Sequence, residues 1–123
     1  MSRDIVINRL WNSSTITTGT TSYSDIIDIG TFGKSGTFSL QYYISTAGVS
    51  VSLGYLLSND AINFVQSTEG NSIATGLTNI SGNAADGRDV ITFTPTMARF
   101  MKIAAWETAG ATNATLTAHF AIQ

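Results

Sequence analysis

The chain has 123 residues, a mass of 13.0 kDa and no cysteine, which is one domain's worth of polypeptide without disulfides or thiolate metal sites. Apolar residues make up 43% and charged residues 11%, about half the usual charged share, and 14 Ser and 18 Thr stand where charge is missing. A charged helical bundle and a coiled coil are excluded, and six Phe, four Tyr and two Trp argue against disorder.

Taken in order, residues 5–11 are the first strand candidate. The hydroxyl-rich run 12–24 follows, with little to bury. Residues 1–23 therefore read as a possible N-terminal arm or edge strand, whose Arg3 and Arg9 could meet an acidic surface. A weak strand at 24–29 and the glycine turns at 30 and 33–36 lead to residues 37–45. There Phe38, Leu40, Tyr42 and Ile44 alternate with mostly polar neighbours. Residues 46–48 are a tight hairpin candidate. Residues 48–58 alternate again, with Val49, Val51, Leu53, Tyr55 and Leu57 on one parity. A second hairpin candidate at 58–61 precedes a weak strand at 64–67. Residues 71–87 lack alternation and hold Asn71, Asn79, Asn83 and Asp86, so they read as a long loop with a short strand at most. Strands at 89–94 and 98–107 follow. Residues 115–123 close the series, with Leu116, Ala118, Phe120 and Ile122 against Thr115, Thr117 and His119. Helical periodicity is not sustained anywhere. About eight short strands with one-sided alternation predict a single all-β domain, an antiparallel β-sandwich of two packed sheets.

The chemistry is sparse. The net charge is −2 and the six basic side chains are scattered, which makes nucleic acid a poor partner. No stretch has the apolar run of a secretory leader or of the roughly 20 residues that span a bilayer, so the expectation is cytoplasmic synthesis of a soluble protein. His119 is the only histidine and lies opposite in parity to its strand's apolar set. Asp25 and Asp28 would point to opposite faces of a strand, and Asp86 reads as a turn residue bonding its own backbone. No nucleophile–base constellation is visible, so the expectation is a protein that is not an enzyme and needs no cofactor or metal. Most aromatics fall on core parities. Tyr43 and Trp106 fall on the other, where an aromatic can anchor an interface or stack on sugar. Arg3, Arg9, Trp11, Tyr43, Trp106 and His119 are the candidate interface residues. With one Pro and 14 charged side chains, the sheet edges are poorly protected, which predicts a homo-oligomer.

Three segments carry a resemblance. They are Ser24-Asp25-Ile26-Ile27-Asp28-Ile29-Gly30 with Gly36-Thr37-Phe38-Ser39-Leu40-Gln41, then Leu57-Ser58-Asn59-Asp60-Ala61-Ile62-Asn63-Phe64, and then the run 93–103 leading into 115–120. Together they resemble small virion proteins of tailed bacteriophages with a jelly-roll-like β-sandwich. The resemblance implies a structural protein of the virion, of the capsid decoration or cement type. It implies a major capsid protein or other virion protein as partner, and a homotrimer, because decoration often sits on local threefold axes. Residues 95–103 alone resemble the strand entry of discoidin-like carbohydrate-binding sandwiches. The alternative is accordingly a carbohydrate-binding β-sandwich module, free or within a tail fibre. The Ser58-x-Asp60 turn is similar to an Asp-box hairpin, but the glycine of that pattern is absent and nothing is carried over from it.

Overall fold

Period-two alternation becomes strand after strand in the computed structural model, which describes residues 6–29, 38–66, 68, 71–95, 98–110 and 112–122. The strands are β1 (Val6–Ile16), β2 (Thr21–Tyr23), β3 (Ile27–Asp28), β4 (Phe38–Ile44), β5 (Val51–Ser58), β6 (Ser72–Leu77), β7 (Arg88–Phe93), β8 (Phe100–Glu107) and β9 (Ala114–Ile122). No helix occurs among the described residues. Two antiparallel sheets form a sandwich. One has the order β1-β9-β4-β7, and the other has the order β2-β8-β5-β6 with β3 also on β8.

β2 and β3 act as one interrupted strand. Between them Ser24 keeps contact with β8: its amide donates to the Ile103 carbonyl at 2.9 Å, and its hydroxyl accepts the Ile103 N–H at 2.9 Å. The pairs β1 with β9, β2 and β3 with β8, β4 with β7, and β5 with β6 then run from the outside of the sequence to its middle. The chain is one long hairpin rolled into two layers, the wrapping of a jelly roll.

The core lies between the layers. Phe38, Leu40, Tyr42 and Ile44 of β4 are buried, while Gln41 between them is exposed. Facing them, Val51, Leu53, Tyr55 and Leu57 of β5 pair with Glu107, Ala105, Ile103 and Met101 of β8. At one end four rings meet: Phe93 lies 5.8 Å from Phe38, 6.2 Å from Phe120 and 5.6 Å from Tyr55, centroid to centroid.

Several local expectations change. Residues 12–16 continue β1 with Asn12, Ser13 and Thr15 exposed, but Ile16 at their end is fully buried. Residues 46–48 are not a hairpin, because β4 and β5 belong to different sheets and the turn carries the chain from one layer to the other. Residues 72–77 form a true strand, β6. Residues 64–67 reduce to a single bridge, Leu57 to Val65, among the described residues. β5 is buried on both faces, with Ser52, Gly54 and Ser58 covered as well as the apolar set.

Candidate functional site

A sandwich presents two outer faces, and each gathers side chains that the inner packing does not use. On the β1-β9-β4-β7 sheet, register aligns Arg9, His119, Gln41 and Val90 in one row across the four strands. The next row holds Thr117, Tyr43 and Arg88. The Arg88 guanidinium sits 4.0 Å from the Tyr43 ring centroid, a cation–π contact, and reaches Asp86 at 3.3 Å. The Ser13 amide donates to the Thr117 hydroxyl at 2.9 Å. Arg9, Gln41 and Val90 are exposed, and His119, Tyr43 and Thr117 are half-buried. The result is a mixed aromatic and hydroxyl surface whose charges are Arg9 and the Arg88–Asp86 pair.

On the other sheet, the outer parity of β8 carries Trp106, Ala104 and Lys102, opposite Ser52, Gly54 and Leu56 of β5. β2 adds Thr21 beside Trp106 and Tyr23 beside Ala104. A groove of about 160 Å³ opens there, walled by Tyr23, Trp106, Thr21, Gln66 and Asn71. Leu56 and Ala104 complete its lining. Gly54 makes room for the indole: a Cβ at that position would stand 3.2 Å from Cη2 of Trp106 and 2.7 Å from the Asn71 carbonyl oxygen. Next to the groove, the Lys102 ammonium lies 4.7 Å from the Phe64 ring centroid.

The two carboxylates with the largest shifts are held by the fold. Glu107, 5% exposed, accepts from the amides of Ser50 at 2.9 Å, Gly110 at 2.7 Å and Ala109 at 2.9 Å, and from the Thr18 hydroxyl at 3.1 Å. These donors, the Ser50 amide foremost, hold its pKa down at about 2. One carboxylate thereby ties the 17–20 turn, the entry of β5 and the loop after β8. Asp60 accepts from the amides of Asn63 at 2.8 Å and Ile62 at 2.9 Å and from the Ser58 hydroxyl at 2.7 Å, which lowers its pKa well below the usual carboxylate range. Burial, then Asp89 and Asp86, push the Tyr42 hydroxyl pKa up. Asp86 accepts the Arg88 amide at 3.2 Å as a turn residue, and Asp28 pairs with Arg99 at 3.3 Å. No cluster of three or more His, Asp or Glu among the described residues could hold a metal ion.

The six candidate interface residues separate. Arg9, Tyr43 and His119 come together on the β1-β9-β4-β7 face. Trp106 faces the opposite way, on the other sheet. Arg3 lies outside the described residues. Trp11 is a correction: it is only 8% exposed and belongs to the core. Strict alternation would set Trp11 beside Arg9, but the register shifts between the two, and the resulting bulge turns the indole inward opposite Ala118. Sequence reasoning passed over Thr21, Tyr23, Gln66 and Asn71. Their one signal was Gly54, a glycine inside an otherwise regular strand, which marks a close approach on that face. Compared with known proteins, the chain matches no family model and no curated protein.

Proposed function

We propose that the protein is a non-catalytic assembly module, a virion protein of the capsid-decoration kind that its sequence resembles, and that it docks through the outer face of the β1-β9-β4-β7 sheet. The observation that carries this reading is the row Arg9, His119, Gln41 and Val90 beside Tyr43 and Thr117, aligned across four strands. Interfaces are built from such aromatic and hydrogen-bonding groups with little charge. The jelly roll adds a fold-level analogy, since coat proteins and lectins both use it. The most perturbed carboxylates, Glu107 and Asp60, are committed to backbone amides rather than to an open cleft. The partner on this reading is a coat protein or another virion protein, and the assembly is a trimer.

Mass spectrometry of purified virus particles, with copy counting, tests the reading. Hundreds of copies per particle support head decoration, whereas absence or a handful of copies overturns it. Light scattering tests the trimer through a mass three times the chain's 13.0 kDa.

A further inference from the structure

We propose that the groove on the outer face of β2, β8 and β5 binds one neutral sugar ring, stacked against Trp106 and Tyr23 and hydrogen-bonded by Thr21, Gln66 and Asn71. The inference is independent of the assembly reading, which uses the opposite sheet, so either can fail alone.

Size comes first. The groove, open on one side, has a volume of about 160 Å³, room for several waters. That accommodates a single six-membered ring.

The lining comes second. Among the described residues, no charged side chain lines it. Lys102, opposite Leu56, is turned to the Phe64 ring. What remains is two aromatic rings, the Thr21 and Tyr23 hydroxyls, two carboxamides and the aliphatic Leu56 and Ala104. A pyranose has an apolar C–H face that suits an aromatic ring and a rim of hydroxyls that both donate and accept. A carboxamide also does both, and so does a threonine hydroxyl.

The third argument is the state of those polar tips. Among the described residues, the side chains of Thr21, Tyr23, Gln66, Asn71 and Trp106 make no hydrogen bond to the protein. Other polar side chains are committed within the fold: Ser24 to Ile103, Ser58 and Asp60 to their own turn, and Glu107 to four donors. Five unused polar groups therefore converge on one concavity. Three parts of the fold supply them: β2, the pair Gln66 and Asn71, and β8. The site is also held in place, because the indole reaches across Gly54 and the Asn71 carbonyl accepts the Tyr55 amide at 2.9 Å. The arrangement is a rigid platform with free donors and acceptors around it, the form that small-ligand sites take.

The experiment uses the full chain with ¹⁵N-labelled tryptophan. Trp11 is in the core and Trp106 is in the groove, so two indole N–H signals report on fold and site separately. Neutral hexoses and N-acetylhexosamines are titrated to millimolar levels, and a glycan array then distinguishes a free sugar from the terminal residue of a surface polysaccharide. The expected result is a saturable shift of the Trp106 signal with Trp11 unmoved. Tyr23→Ala should weaken binding about tenfold, the loss of one stacking contact, and Gln66→Ala should weaken it several-fold. Tyr23 is 53% exposed and Gln66 is exposed, so both variants keep the fold, which an unchanged Trp11 signal verifies. No response to any neutral sugar overturns the proposal. So does Tyr23→Ala binding with unchanged affinity, and so does a proline-rich peptide that moves the Trp106 signal where sugars do not.

Discussion

Truncating Phe120 to alanine tests the packing of the two layers at its most crowded point. The ring is fully buried, with centroids 5.9 Å from Phe38 and 6.2 Å from Phe93, and Phe93 is itself stacked on Tyr55 across the sandwich. A buried Phe→Ala change costs about 3–5 kcal/mol, from the lost transfer energy and the cavity that neighbours fail to fill. Two lost ring pairs, at roughly 0.5–1.5 kcal/mol each, place this site at the upper end of that range. The whole fold is worth on the order of 6–18 kcal/mol for its length, so a quarter or more of its stability could go. With a urea m-value of about 2 kcal/mol/M, a loss of about 4 kcal/mol lowers the unfolding midpoint by about 2 M. Urea unfolding followed by tyrosine fluorescence or far-UV circular dichroism reads this directly. Phe120→Leu, which keeps most of the volume, should fall between the two. A midpoint shift below about 0.5 M with an unchanged m-value would refute the closed aromatic cluster.

Three other perturbations follow from the same geometry. Glu107 has its carboxyl pKa lowered from 4.5 to about 2 in the fold, so its stabilisation is complete above about pH 4.5 and is lost as pH falls toward 2. Glu107→Gln should flatten that part of the curve of Tm against pH, and an unchanged slope would show that the carboxylate is not what the loops hold. Gly87 has φ +81°, and a Cβ there would overlap the Ile44 carbonyl oxygen and stand 3.0 Å from that of Asn79. Gly87→Ala should cost at least about 2 kcal/mol, from left-handed strain and a weakened bond between the Ile44 amide and the Gly87 carbonyl, and calorimetry showing wild-type Tm would contradict it. Val90 is 57% exposed on the proposed docking face, so Val90→Glu should leave Tm within about a degree or two, a change of ~0.5 kcal/mol or less. The same variant should fail to appear on purified particles, and full incorporation would move the docking surface elsewhere.

Where the strands lie in sequence was largely legible, and the reason is physical. β4 and β9 each bury one face against a layer, so their alternation is clean. Two other features depend on partners rather than on the segment itself. β6 buries only Leu77 fully, leaving no pattern to read. Trp11 turns inward through a bulge that local residues do not announce, although Ser13 beside it takes a positive φ of 50°. Residues 46–48 have turn chemistry, but that chemistry is the same whether a turn returns within a sheet or crosses to the other layer. The groove was hidden for a further reason. Thr21, Tyr23, Gln66, Asn71 and Trp106 come from segments far apart in the chain, and nothing in any one of them marks a shared space.

The rolled hairpin also governs how the molecule can come into being. β9 lies between β1 and β4, so β1 has no partner strand, and β4 only β7, until residues 114–122 have been made. At roughly 5–20 residues per second on a ribosome, β1 waits on the order of 5–20 s for its partner. During that interval Ile16, on β1, has no sheet of its own to join. Almost every pairing joins strands distant in sequence, which places folding in the slow, millisecond-to-second class of β topologies. A chain stopped short of β9 is not a smaller sandwich. It is the β2-β8-β5-β6 sheet and the β4-β7 pair, with β1 left without a partner strand and one edge of β4 open.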